Sequence, residues 1–117
     1  MISFDFDDTL AELRTEMYGQ KLYPRHTFID LLKEYHALGF ECIILTARDA
    51  TDADLKEIKE FLERHNASHC VSEVVFTFHE KKGPIALELG VILHYDDCPK
   101  QLESVRSQGI QAISSLS

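Results

Sequence analysis

Short apolar runs alternate along the chain with segments of helical period, and that alternation predicts strand-helix-strand units. Residues 2–6 open as a strand. Residues 40–46 form a second, whose core Cys42-Ile43-Ile44-Leu45 is apolar without interruption. Residues 73–78, 91–95 and 110–113 supply three more. Unbroken apolarity suits strands covered by helices on both faces. The pattern therefore predicts an α/β, three-layer Rossmann-like sandwich around a central five-stranded parallel sheet.

The helices between these runs carry their own start and stop signals. Thr27 stands where a cap is wanted, ahead of an apolar stripe of Phe28, Leu31, Leu32, Tyr35 and Leu38, and Gly39 follows as a left-handed stop. Thr51 with Asp54 resembles a capping box. It opens a helix that turns Leu55, Ile58, Phe61 and Leu62 inward and Lys56, Glu57, Lys59, Glu60 and Glu63 to water. Pro84 and Pro99 are placed as first helical residues, with Gly90 and Gly109 as the matching ends. Residues 11–25 break the rhythm: Leu13, Met17, Tyr18, Leu22 and Tyr23 show no clean period, so the segment is read as a long loop, a flap or minimal cap.

Composition changes this picture little. The 117 residues, 44% of them apolar, suit one domain with a single core, residues 1–117. Acidic residues outnumber basic ones by 20 to 12, and the net charge of -8 argues against broad attachment to nucleic acid or an anionic membrane. A local basic groove stays compatible with it. The start, Met1-Ile2-Ser3-Phe4-Asp5, lacks the basic and apolar regions of a signal peptide, and no apolar run approaches the roughly 20 residues of a membrane span. A cytoplasmic location is expected. Cys42, Cys70 and Cys98 are odd in number and widely spaced, fitting neither a disulfide framework nor a zinc site.

Ligands of open parallel sheets bind beyond the carboxyl ends of the strands, so those ends are where chemistry is sought. The first strand runs out in Asp5-Phe6-Asp7-Asp8-Thr9 and the second in Thr46-Ala47-Arg48. The third leads to Lys81-Lys82 and the fourth ends in Asp96-Asp97. Either acidic pair alone could be a turn or a helix start. Together, on adjacent strands, they would repel one another unless a cation stood between them. An all-oxygen set suits a hard ion such as Mg²⁺ better than zinc. Lys81 and Lys82 are both candidate cations; Lys82 is preferred as the nearer to the helix of Pro84, whose amino end favours a phosphate. Arg48 is a candidate for a bidentate contact with a phosphate or for a surface ion pair. His79 and His94 flank the same edge and are read as packed or solvent-facing.

This ordered set resembles the haloacid dehalogenase superfamily, whose phosphatases carry Asp-x-Asp-x-Thr, then Thr or Ser, then Lys, then a late acidic pair. The resemblance runs from Ile2 to Ile113. It implies a phosphomonoester hydrolase with Asp5 as nucleophile, Asp7 as general acid and base, Thr46 as a phosphoryl ligand and Lys82 as the neutralising cation. It also implies Mg²⁺ at Asp5, Asp7, Asp96 and Asp97, the last acting through water or on its neighbours. Thr9 is read as a brace for the loop.

Members of that superfamily commonly carry a cap domain, and here neither insertion point holds one of full size. A site without a cap admits a phosphate on a macromolecule, either a phosphoprotein or a polynucleotide end, unless a neighbouring subunit supplies a lid for a small metabolite. Residues Val91 to Ile113 also resemble the phosphatase part of phage-type polynucleotide kinase-phosphatases, whereas the acidic charge counts mildly against a nucleic-acid substrate. Two other classes fit the same fold: a phosphoacceptor receiver-like signalling domain and a catalytically silent binding module. In a receiver the acceptor and the acidic pair come from different strands. Here Asp7 stands two residues from the presumed acceptor, an arrangement suited to turnover.

Overall fold

The structure, a computed structural model, describes residues 1–116. Five parallel strands form one sheet: β1 (Ile2–Phe4), β4 (Cys42–Thr46), β5 (Glu73–Phe76), β6 (Leu93–Asp96) and β7 (Gln111–Ser114). Their spatial order is β5-β4-β1-β6-β7, so the first strand lies at the centre, between β4 and β6. The expected three-layer α/β architecture is the observed one. Helices α1 (His26–Ala37) and α2 (Asp52–Arg64) cover one face, and α3 (Lys82–Leu89) and α4 (Pro99–Ser107) the other.

Alternation along the strands distributes the core between these layers. Ile2, Phe4, Cys42, Ile44 and Tyr95 pack with Ile29 and Leu32 of α1 and with Ile58, Phe61 and Leu62 of α2. Ile43 and Leu45 pack with Ala86 of α3, Leu102 and Val105 of α4, and Ile110 and Ala112. Both clusters, with their half-buried neighbours, take apolar side chains out of water, the dominant favourable term in folding. On the second face Ser3, Asp5, His94 and Asp96 stand in place of aliphatic residues.

Several element boundaries differ from the sequence expectations for identifiable reasons. Residues 11–25 are not a loop. They form an antiparallel hairpin, β2 (Ala11–Glu16) and β3 (Gly19–Pro24), in which Leu13 faces Leu22 across a turn at Met17 and Tyr18. Most of its residues are exposed on both sides, so no buried face imposed an apolar period. The cap of α1 is Arg25 rather than Thr27, and Arg25 sends its guanidinium to the carbonyls of Asp8 and Ser115. Its stripe includes Ile29, while Leu38 lies past the last turn and is 74% exposed. Thr51 caps α2 as expected, accepting from the Asp54 amide at 3.0 Å.

Helix α3 begins at Lys82, two residues before Pro84. Its first amides are satisfied by α4: Lys82 N–H donates to Gln101 Oε1 at 2.8 Å and Gly83 N–H to Ser104 Oγ at 3.0 Å. That amino end is therefore not free to hold a phosphate, contrary to the argument from Pro84. Pro99 does open α4, and Gly90 and Gly109 take the left-handed conformation after the two helices. Among the described residues no helix is long and apolar enough to cross a membrane.

Candidate active site

Strand register decides which side chains meet at the carboxyl edge. Pairing of β1 with β6 sets Ser3 opposite His94 and Phe4 opposite Tyr95. Phe4 stacks on Tyr95 toward α1, with ring centroids 5.1 Å apart. Ser3 and His94 point to the other face, and two residues on Asp5 and Asp96 do the same. Onto them comes Lys82, the first residue of α3, fully buried. Its Nζ donates to Asp5 Oδ1 at 2.9 Å and to Asp96 Oδ2 at 2.7 Å. Lys81, one residue earlier, is exposed and takes no part.

Behind this triad is a buried polar column. His94 Nε2 is 2.8 Å from Asp96 Oδ2, and its Nδ1 is 2.6 Å from Ser3 Oγ. Burial holds the imidazole below its usual range despite the Asp96 carboxylate. The neutral ring therefore donates from Nε2 to Asp96 and accepts at Nδ1 from the serine hydroxyl. The second Asp96 oxygen accepts from the Cys98 amide at 3.0 Å. Burial alone would raise Asp96, but His94 and Lys82 outweigh it and hold the carboxyl well below the ordinary range. Burial would likewise lower Lys82, and Asp5 with Asp96 raises it instead.

Asp5 stands in the opposite condition. Burial pushes its carboxyl up to about 9, Asp96 and Asp97 add to that, and Lys82 opposes it. Carboxylate oxygens of Asp5, Asp96 and Asp97 lie within 4.8 Å of one another. With Asp5 ionised, as a metal ligand or nucleophile must be, three carboxylates would face one ammonium, a deficit of two positive charges. A divalent cation would close that deficit, and an all-oxygen donor set fits Mg²⁺.

Asp7 is elsewhere. Its carboxylate forms a two-pronged pair with Arg48, Nη2 to Oδ1 at 2.7 Å and Nε to Oδ2 at 2.8 Å. Arg48 also reaches Asp54 and Glu57 of α2, each at 3.1 Å. The structure thus groups Asp5, Asp96 and Asp97, and leaves the Asp7 carboxylate outside the expected metal set. Arg48, expected at a phosphate or in an ion pair, is engaged by carboxylates. Thr46 closes β4, buried beside this pair, and its Oγ1 accepts from the Arg48 amide at 3.3 Å.

The loop carrying Asp7 is held from several sides. The Phe6 carbonyl accepts from the amides of Thr9, Leu10 and Ala11, and Asp8 sits at φ 61. Thr9 Oγ1 bonds Ser115 Oγ at 2.8 Å, bracing the turn against the residue after β7. Sequence reasoning overlooked Ser3, which had no motif to mark it, and undervalued His94. The signal was there as two alternations, Ser3-x-Asp5 and His94-x-Asp96, which place four polar groups on one face of two adjacent buried strands. Thr77, just after β5, was also passed over: its hydroxyl is buried and finds no partner among the described residues.

Comparison by sequence gives no relatives: no family model and no curated protein matches the chain. Comparison by structure does. A chain from the Pnkp1/Rnl/Hen1 RNA repair complex superposes with a TM-score of 0.76 at 17% identity, covering 97% of this chain and 41% of that one. A second structure of the Pnkp1/Rnl/Hen1 complex gives 0.74 at 17% identity, with 97% and 44% covered. The core domain of a protein provisionally assigned as a phosphoglycolate phosphatase, from Streptococcus pneumoniae TIGR4, gives 0.59 at 15%, with 99% and 79% covered. The chain spans less than half the length of the repair-complex chains it matches. Similarity at this level of identity is similarity of fold.

Proposed function

We propose that the chain is a Mg²⁺-dependent phosphomonoester hydrolase of the haloacid dehalogenase type, acting in the cytoplasm through an aspartyl-phosphate on Asp5. The observation that carries this reading is the meeting of Asp5, Asp96 and Asp97 with the buried Lys82 at the carboxyl edge of the sheet. Two buried carboxyl groups and a half-buried third held this close, with one cation among them, are costly as structure alone. They are what a phosphoryl-transfer site requires.

Asp5, Asp96 and Asp97 would hold the metal, which would supply positive charge for the phosphoryl oxygens. The protein groups do the rest. A carboxylate approaching a phosphate is repelled by roughly 4 kcal/mol per charge pair at about 4 Å for an effective dielectric near 20. Lys82, beside Asp5 Oδ1, offsets part of that repulsion. A carboxylate oxygen of Asp5 attacks phosphorus, and the bond to the ester oxygen breaks. Asp7, once free of Arg48, takes a proton from solvent and donates it to the departing oxygen. Asp7 then takes a proton from water as the water oxygen attacks phosphorus, the bond to Asp5 breaks, and inorganic phosphate leaves. Thr46 donates its hydroxyl to a phosphoryl oxygen.

Arg48 shapes this scheme, because it holds Asp7 in a two-pronged pair in the resting arrangement. A substrate phosphate entering beside Thr46 competes for that guanidinium and releases Asp7 toward the leaving oxygen. Between the hairpin and α2, next to Arg48, lies an open cleft of about 770 Å³ lined by Leu13, Lys21 and Leu22 on one side and Glu57, Glu60 and Arg64 on the other. A site with a hairpin in place of a full cap suits a phosphate carried on a large molecule. The likeness to a chain of an RNA repair complex supports testing 3′-phosphorylated oligonucleotides first, alongside phosphopeptides and small phosphate esters.

Hydrolysis of an aryl phosphate with and without Mg²⁺, by the wild type and by Asp5→Asn, tests the mechanism. The expected result is turnover only with metal and only with Asp5 present. Activity without metal, or an unimpaired variant, would overturn it. A phosphorylated protein that persists for minutes would instead support a receiver-like acceptor, and no phosphorylation at all a silent binding module.

A further inference from the structure

The opposite edge of the sheet carries a second constellation, of different chemistry. Helix α1 ends just before β4 begins, and a single 3-10 turn, Ser68–Cys70, stands just ahead of β5. Both therefore lie at the amino ends of strands whose carboxyl ends hold Thr46 and the loop to Lys82. From the last turn of α1 comes His36, and from the 3-10 turn come His69 and Cys70. One ring nitrogen of each histidine and the Cys70 sulfur all lie within 4.8 Å of one another. We infer that His36, His69 and Cys70 form a binding site for a borderline-soft divalent cation of the Zn²⁺ class.

The geometry supports it in three ways. Tetrahedral zinc with bonds of about 2.3 Å to sulfur and about 2.0 to 2.1 Å to nitrogen sets sulfur and nitrogen about 3.5 Å apart. Cys70 Sγ and His69 Nε2 are 3.5 Å apart. A thiol-imidazole hydrogen bond spans the same distance, but it does not need a third ligand, and His36 supplies one. The two imidazoles meet edge to face with centroids 5.4 Å apart, so their nitrogens converge without the rings stacking. Among the described residues no protein group hydrogen-bonds the His36 ring, which leaves its lone pair available.

The framework beneath is fixed. The Cys70 amide donates to the Ala67 carbonyl at 3.0 Å and the Ala67 amide to Leu62 at 2.8 Å, tying the turn to the end of α2. Cys70 itself is buried, while both histidines are exposed. The sulfur thus forms the floor of the site and the imidazoles its rim, with a fourth position open to water. Lys33, one turn before His36 and half-buried, acts on the thiol through its charge and opposes a cation there, a cost the three ligands must outweigh. On binding, a sulfur-metal bond replaces the S–H bond and the thiol proton passes to solvent.

The donor set separates this site from the acidic one. Two nitrogens and a sulfur select zinc, cobalt or cadmium over magnesium, and three oxygens the reverse. Neither site depends on the other, so this inference stands whether or not the chain is a phosphatase. Its consequence is mechanical: a bound ion would clamp the end of α1 to the segment that leads into β5.

Titration of the reduced full chain with Co²⁺ in excess Mg²⁺ tests this, because thiolate-bound cobalt has a sulfur-to-metal absorption band that oxygen-bound cobalt lacks. One equivalent should develop that band. Cys70→Ser should abolish it, and the surface variant His36→Gln should weaken binding at least about tenfold, the loss that even a supporting residue causes. Asp5→Asn should leave the titration unchanged. Zn²⁺ should displace the cobalt and, at equal concentration, raise the urea midpoint of the wild type more than that of His36→Gln. Absence of the band, its survival in Cys70→Ser, or full-strength binding by His36→Gln would overturn the inference.

Discussion

Lys82 has its charge where burial would normally forbid one. Only the two carboxylates at 2.9 and 2.7 Å make the ammonium tolerable, and only the ammonium makes the carboxylates tolerable. Lys82→Met keeps the length of the side chain and leaves Asp5 and Asp96 without their partner. With chelator present the variant should lose about 3 to 5 kcal/mol by urea unfolding, the cost of stranding buried charge. Tyr95 offers a cleaner titration. Burial, then the hydrogen bond with Tyr35 at 2.6 Å, raises its phenol above the ordinary value of 10.0. For an acid raised on folding, the stabilisation is complete below the unfolded value and disappears as pH climbs through the folded one. Stability should therefore fall above pH 10 in the wild type, and Tyr95→Phe should remove that part of the slope in unfolding curves taken across the range.

At the scale of elements, the contact between α3 and α4 sets how far Lys82 reaches. A Cβ on Gly83 would stand 2.2 Å from the Ser104 carbonyl and 2.6 Å from its hydroxyl, so the helices can approach this closely only at glycine. Gly83→Ala should push α3 outward, destabilise the fold by about 1 to 3 kcal/mol and depress activity, with thermal unfolding and aryl phosphatase rate as the two readouts. Elements of this kind also show what the sequence could and could not reveal. Strand β4 was legible because both its faces are buried and the run Cys42 to Leu45 has no reason to alternate. Helix α2 was legible because Thr51 and its charged face leave marks in the order of residues. The hairpin was not, since strands wet on both sides need no apolar rhythm. The clustering of Asp5, Asp96 and Lys82 followed from reading strand ends. The pairing of Asp7 with Arg48 did not, because an ion pair between residues 41 positions apart depends on where α2 presents Asp54 and Glu57.

For the whole molecule, a metal held at the acidic edge as proposed would make stability a function of divalent cations. A ligand that binds the folded chain alone stabilises it by about 2.7 kcal/mol at a hundred times its dissociation constant. Saturating Mg²⁺ should raise the melting temperature, EDTA should return it, and Asp96→Asn should show a much smaller rise, all measurable by differential scanning calorimetry. The central position of β1 has a further consequence, for the order in which a cell makes the protein. The strand that organises the sheet is the first to be synthesised, yet Ser3 finds His94 only across 91 residues, and the loop after β1 is braced by Ser115 across 106. A chain still attached to the ribosome can close β1 against β4 early, with its acidic loop exposed and its lysine unplaced. The cluster at that loop waits for α3 and β6, so a product stalled before them should carry Asp5 without Lys82 and Asp96.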